Sequence, residues 1–190
     1  VRSGRAEANS NAGAALMSCI STLLLLLIIV VGVSVSWLKV LIFPSLLSII
    51  ILALCALWLL RNAKAVENIE LIDSRMFSLK EAAIIAGTLT IIQAGIYGLN
   101  LLLGDAGLIA GTLLASLFEI HAAAAAVVIQ GDPTNSTLLY AMILGLGAHA
   151  ISKSINATLT GGWKFARVFV PVQMLHMLVL ISVLCWITLR

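Results

Sequence analysis

Residues 106–130 read AGLIAGTLLASLFEIHAAAAAVVIQ, an apolar run of 25 residues with Glu119 and His121 near its middle. A helix of this length is about 37 Å long, so it would cross a hydrocarbon core of about 30 Å and hold both side chains near mid-depth. Ionisable groups at that depth are costly, and they usually mark an ion pathway, a proton relay or an internal pair. We therefore expect function to be centred on this segment.

The whole chain has the composition of an integral membrane protein. Of its 190 residues, 62% are hydrophobic and only 10% are charged, and the mean hydropathy is +1.15, which is outside the range of soluble globular domains. Six apolar stretches are long enough to span a bilayer as helices. We predict an all-α fold, a polytopic bundle of six transmembrane helices, over residues 14–36, 39–60, 79–103, 106–130, 137–160 and 167–189.

This division gives four regions. They are a polar N-terminal segment (1–13), helices one and two (14–60), a cytoplasmic amphipathic linker (61–78), and helices three to six with the polar intramembrane groups (79–190). Because the first residue is Val and a polar segment precedes a span too long for a signal peptide, we expect the chain to be a fragment of a larger protein.

The basic residues outside the predicted helices predict the orientation in the membrane. One side carries seven of them: Arg2, Arg5, Arg61, Lys64, Arg75, Lys80 and Arg190. The other side carries three: Lys39, Lys164 and Arg167. This asymmetry predicts a multi-pass protein of a prokaryotic inner or plasma membrane with both termini in the cytoplasm. The net charge of +3 is spread over short loops, so nucleic-acid binding is not expected.

The predicted helix 137–160 repeats the pattern of polar groups at depth. One of its faces, at spacings of three and four, carries Gly145, His149, Ser152, Lys153, Asn156 and Thr160. If this helix runs antiparallel to helix 106–130, Lys153 lies within about 7 Å of the depth of Glu119, and the two could form an ion pair. The sequence leaves two interpretations open, a structural salt bridge or a substrate or proton site. The predicted pathway residues are Glu119, His121, His149, Ser152, Lys153, Asn156 and Gln93.

Small residues predict close helix packing beside these groups. Gly107, Gly111 and Ala115 recur every four residues before Glu119, and Gly145 is their counterpart in the next helix. Exposed faces of this kind also favour a homo-oligomer, most simply a dimer. We expect His176 to be a lone core or interfacial histidine, and the three cysteines to be small buried apolar residues without a disulfide.

The segments GLIAGTLLASLFEIHAAAAAV (107–127) and HAISKSINATLTGGWKFAR (149–167) carry a resemblance. They resemble an uncharacterised membrane domain found C-terminal to MgtC/SapB-type domains in proteins associated with magnesium transport. Lys153, Lys164 and Arg167 match the pattern of that domain, while His149 stands where it has Asn. The resemblance implies a role in divalent cation transport and an MgtC-type domain as partner.

Two function classes follow from the sequence. The first is a transporter or channel for a small ion in the lipid bilayer, most simply a divalent cation such as Mg²⁺, with Glu119 as a tentative metal ligand. Lys153 would oppose a dication unless it releases Glu119 when the ion arrives, and the same groups equally suit a proton-coupled carrier. The second is a non-transporting regulatory or interaction domain. An enzyme is not expected, because no G-x-S-x-G or H-E-x-x-H motif is present, and no cofactor is predicted.

Overall fold

The structure, a computed structural model, describes residues 2–62 and 79–188. All regular structure in these two ranges is helical. The helices are α1 (Arg2–Val33), α2 (Val35–Asn62), α3 (Leu79–Leu103), α4 (Asp105–Phe118), α5 (Ile120–Gln130) and α6 (Ser136–Thr188). The predicted polar segment 1–13 is part of α1 from Arg2 onward, and most of the predicted linker 61–78 lies outside the described residues.

Four of these helices, α1, α2, α3 and α6, are long and apolar enough to cross a membrane. The other two are shorter, with 14 residues in α4 and 11 in α5. The prediction of a helical membrane protein is confirmed at this level, and the six helices agree in number with the prediction. Their boundaries differ from it at two places, which decide how the polar residues are arranged.

The first difference is at Glu119, where the predicted helix 106–130 is broken. The backbone of Glu119 is extended (φ −149°, ψ 105°), so α4 ends at Phe118 and α5 begins at Ile120. The Glu119 carboxylate accepts a hydrogen bond from the His121 backbone N–H, which caps the start of α5. Because α4 and α5 also pack against each other, they form a helical hairpin with Glu119 at its tip.

Hydrogen bonds place both open ends of this hairpin at the same end of the bundle. At the start of α4, Asp105 accepts a bond of 2.8 Å from the Thr137 hydroxyl. At the end of α5, Gln130 accepts a bond from Asn100 of α3, and the Trp37 indole donates to the Gly131 carbonyl at 2.7 Å. We call this end, where α1 also ends, the upper end, and the end where α1 begins the lower end.

The second difference is at Gly162, where α6 folds back on itself. The backbone there (φ 71°, ψ 171°) is in a region that favours glycine, and it divides α6 into halves 136–161 and 163–188. The two halves are antiparallel neighbours, since Ile151 and Met174 line one groove and Gly147 lies next to Ile181. They correspond to the predicted helices five and six. The described chain therefore starts at the lower end and finishes at the upper end.

Small residues allow the hairpin to pack closely, as the sequence predicts. At Gly107 a Cβ atom would lie 2.0 Å from the backbone oxygen of Leu99 in α3. At Gly145 in α6 it would lie 2.7 Å from the hydroxyl of Ser116 in α4. Gly111 also faces α3, and Ala115 is buried. The α4 helix is thus held between α3 and the first half of α6.

Candidate functional site

The tip of the α4–α5 hairpin carries a hydrogen-bonded acid–histidine pair. His121 Nδ1 lies 2.5 Å from Glu119 Oε1, and His121 Nε2 lies 3.1 Å from the Thr22 carbonyl of α1. A carbonyl oxygen only accepts, so Nε2 carries a hydrogen. The hydrogen bond at Nδ1 then needs one hydrogen between the imidazole and the carboxyl group. With that proton, the pair is neutral as a whole.

This pair lies deep in the bundle. At 1.5 Å per residue, α4 descends about 21 Å from the upper end and α5 returns over about 16 Å. A tip at this distance from the upper end would lie past the middle of a hydrocarbon core of about 30 Å whose surface is at the upper end. The side chain of Glu119 is 35% exposed and that of His121 is 15% exposed. A helix break at this depth is tolerated only where it is buried in protein or lines a watery cavity.

Two predicted pathway residues on α6 satisfy the backbone at the end of α4. His149 Nδ1 lies 3.2 Å from the Ser116 carbonyl, and the Ser152 hydroxyl donates to the Leu117 carbonyl at 2.6 Å. The last carbonyls of a helix have no partner within that helix, so an interrupted helix in this position needs such donors. The polar stripe predicted on this helix therefore supports the broken hairpin.

Lys153 does not pair with Glu119, contrary to the ion pair that the sequence suggested. Its ammonium lies 3.4 Å from the Thr22 hydroxyl of α1, while Glu119 pairs with His121. The two side chains point to different partners. Lys153 directly follows Ser152, which contacts the tip, and its ammonium faces Thr22 of α1, whereas the Glu119 carboxylate is bonded to His121.

A cavity below the tip brings together residues from α1, α5 and both halves of α6. Its volume is about 20 Å³, and its polar lining residues are Cys19, Thr22, His149, Lys153, Gln173 and His176. The Cys19 thiol donates to Gln173 Oε1 at 3.3 Å, and His176 Nε2 lies 3.0 Å from the same oxygen. The Ser48 hydroxyl of α2 donates to the His176 carbonyl at 2.9 Å.

Sequence reasoning missed part of this cavity. Cys19 and Thr22 interrupt a leucine-rich helix at a spacing of three, and Gln173 and His176 have the same spacing on the second half of α6. Each pair thus shares one helix face, which is the signal that could have found them. His176 is buried, as expected, but it is hydrogen-bonded into a polar group rather than isolated.

Two predicted pathway residues lie outside this site. Asn156 is exposed, and Gln93 is on α3, which contributes no described side chain to the cavity lining. Within the described ranges, no three His, Cys, Asp or Glu side chains converge closely enough to hold a metal ion.

The helices that build this site belong to a recognised sequence family. The model of a domain of unknown function, DUF4010, matches residues 1–161, so the chain is a member of that family. The matched region contains α1 to the first half of α6, including the hairpin tip and Lys153, while Gln173 and His176 lie beyond it. No curated protein and no solved structure matches the chain.

Proposed function

We propose that this protein is a membrane transporter or channel for a small ion, and that the ion passes the tip of the α4–α5 hairpin. The observation that carries the proposal is the helix break at Glu119, with an ionisable pair at its tip. Broken helices at membrane depth place backbone groups and half-helix ends beside a pathway in many transporters. A helix that only filled space would have no need of a carboxylate, two histidines and a lysine at one depth.

The proposal includes an arrangement in the membrane. The chain would cross five times, through α1, α2, α3 and the two halves of α6, while α4 and α5 enter from the upper side and return to it. Seven basic residues of the described ranges lie near the ends of these crossings. One of them, Lys39, is at the upper end. The other six are at the lower end: Arg2, Arg5, Arg61, Lys80, Lys164 and Arg167. Six crossings would divide these same seven residues four against three, so the asymmetry with five crossings is steeper, and it favours a cytoplasmic lower end.

With an odd number of crossings, the two ends of the chain lie on opposite sides of the membrane, rather than both in the cytoplasm. A reporter fused to the C-terminus tests this arrangement. Alkaline phosphatase should be active there and green fluorescent protein dark, because the upper end faces away from the cytoplasm. The reverse pattern would contradict this arrangement, and a second reporter at the N-terminus would then separate six crossings from five in the opposite orientation.

The chemistry of the site favours a proton or a monovalent ion over Mg²⁺. Magnesium prefers several carboxylate oxygens or waters, whereas the cavity is lined by Lys153 and imidazoles, and the nearby Glu119 carboxylate is already bonded to His121. A divalent cation would be repelled by the ammonium without any free carboxylate in reach. The magnesium association therefore remains the weaker form of the proposal.

Flux into proteoliposomes tests the proposal directly. We expect wild-type protein to carry protons or a monovalent ion, and Glu119→Gln to abolish that flux, because an amide cannot share a proton with His121. Glu7→Gln, an exposed position on α1, is the matched control and should retain wild-type flux. Absence of flux for protons, Na⁺, K⁺, Cl⁻ and Mg²⁺ from a monodisperse wild-type protein would refute transport by this chain alone.

One observation favours a second function, that of an interaction or regulatory domain. Only 6% of the apolar stretch of α3 is buried in the described bundle, and Phe118 at the hairpin tip is 82% exposed. These faces suit lipid, a second copy of the chain or the helices of an MgtC-type partner. In that case Glu119→Gln would change assembly or stability, measured by size-exclusion chromatography, while no flux is seen.

A further inference from the structure

The cavity below the hairpin tip contains two imidazole nitrogens without protein partners. His149 donates through Nδ1 to the Ser116 carbonyl, and His176 donates through Nε2 to the Gln173 amide oxygen. In a neutral imidazole the other nitrogen is then an acceptor. Those acceptors, His149 Nε2 and His176 Nδ1, are buried and have no hydrogen-bond partner in the described bundle. Both residues line the same cavity, and His176 is only 2% exposed.

The third group at the cavity is the Lys153 ammonium, which has three donors. One of them reaches the Thr22 hydroxyl at the long distance of 3.4 Å. The cavity volume of about 20 Å³ exceeds the roughly 10 to 15 Å³ that one water molecule requires. A water there could donate one hydrogen to each imidazole and accept one from the ammonium, and three such bonds are typical of buried waters.

We infer that this cavity is a binding site for one water molecule, which links Lys153 to His149 and His176 as a proton-transfer site. The transfer balances without another reactant. A hydrogen moves from Lys153 Nζ to the water oxygen while one of the two original water hydrogens moves to an imidazole nitrogen. The water is regenerated, the lysine becomes neutral and the histidine becomes an imidazolium. This inference rests on the proposed function and specifies protons as an ion that the site handles.

Other titratable groups surround this site. They are Cys19 on α1, His121 on α5 and Glu119 at the break between α4 and α5. Since the Glu119–His121 pair shares a proton, it contributes little net charge, and the positive charge of the site resides on Lys153 or on one of the two imidazoles. The nearest group of α2, Ser48, does not titrate.

Nitrogen-15 NMR of histidine-labelled full-length protein in lipid bilayers tests the water site without any measurement of transport. The chain has three histidines, so His149→Gln and His176→Gln assign the signals. We expect opposite neutral tautomers, with the hydrogen on Nδ1 of His149 and on Nε2 of His176, and a cross-peak from each unprotonated nitrogen to water. Absence of both water cross-peaks in a folded sample would overturn the inference.

Proton flux then separates the two proposals. If the water cross-peaks are present and His176→Gln reduces proton flux at least tenfold, both proposals hold. If the cross-peaks are present and the wild type carries no ion, the water site stands and the proposed function fails. If the wild type carries protons and His149→Gln and His176→Gln both leave the rate unchanged, transport stands and the proton-transfer site is wrong.

Discussion

The contact between Gly107 of α4 and the backbone of α3 leads to a sharp prediction about the hairpin. A Cβ at residue 107 would lie 2.0 Å from the Leu99 oxygen, 2.6 Å from the Leu99 carbonyl carbon and 2.9 Å from Leu103 Cβ. Carbon–oxygen contacts are normally about 3.3 Å or longer, so α4 would have to move away from α3 by about 1.3 Å. Neither backbone can yield in the way that a flexible side chain would.

Moving α4 by that distance also separates Gly111 from Ile96 and Leu99, which a Cβ there would meet at 3.1 to 3.3 Å. Overpacking of this kind costs about 1 to 3 kcal/mol, and the backbone contact places Gly107→Ala at the upper limit, near 3 kcal/mol. The matched control is Gly98→Ala on α3, where no atom lies within 4 Å of the new Cβ. That change should be neutral or stabilising by up to about 1 kcal/mol, since alanine is the better helix former.

The assay is reversible unfolding of the purified protein in mixed micelles, followed by the loss of helical circular dichroism. We expect Gly107→Ala to lower the free energy of unfolding by about 3 kcal/mol relative to Gly98→Ala. Equal stability of the two variants would mean that α4 does not lie against α3 at this position. It would remove the main packing argument for the hairpin.

Three further predictions concern the hairpin, the turn in α6 and the connection between α5 and α6. Cysteines at Asn100 and Gln130, in a background without native cysteines, should be joined by a short bifunctional thiol crosslinker, because these side chains are hydrogen-bonded. Gly162→Ala should cost about 1 to 2 kcal/mol in unfolding experiments, since alanine is strained at φ 71°. A hydrogen bond from Ser36 lowers the pKa of the Asp132 carboxyl in the folded protein. The ionised Asp132 side chain therefore stabilises the fold fully at pH values above its pKa in the unfolded chain, and this stabilisation is lost as the pH falls through its lowered pKa in the folded protein. Asp132→Asn should flatten the acid side of the stability–pH curve.

Each of these predictions has an outcome that contradicts it. A continuous helix over 106–130 would place Gln130 far from Asn100, and no crosslink would form. Cysteines at Asn100 and Phe118 are the control pair and should not be joined, because Phe118 is at the hairpin tip. Unchanged stability of Gly162→Ala would mean that α6 does not fold back there, and an unchanged acid limb in Asp132→Asn would mean that Asp132 makes no stabilising contact.

The sequence was sufficient to predict an all-helical fold with helices apolar and long enough to cross a membrane, because both follow from composition and from the length of apolar runs. It did not predict the break at Glu119. Glutamate is a good helix former, so the local sequence contains no helix-breaking signal there. The break is stabilised instead by donors distant in sequence, His149 and Ser152, which bind the last carbonyls of α4. Such tertiary bonds leave no local pattern.

The same break explains why the partner of Glu119 could not be predicted. In six antiparallel crossings, Glu119 and Lys153 belong to neighbouring helices that meet near mid-depth, and an ion pair is the natural expectation. The break instead turns the Glu119 carboxylate onto His121 of the next helix, and Lys153 on the first half of α6 faces Thr22 of α1. The turn at Gly162, by contrast, has a local signal, because two consecutive glycines stand there. The predicted helices 137–160 and 167–189 place this turn correctly.

Substitution of Lys153 tests whether the polar residues around the hairpin tip are there for structure or for function. In the part of the chain that the structure describes, its half-buried ammonium faces the Thr22 hydroxyl and no carboxylate. Replacing Lys153 with an uncharged side chain of similar length therefore breaks no ion pair there and removes the cost of holding a charge partly out of water. Lys153→Met should therefore keep or raise stability while it abolishes flux, and Lys164→Met, at an exposed site, should change neither. If Lys153→Met instead unfolds the protein, Lys153 holds the helices together, and the case for a pathway charge is lost.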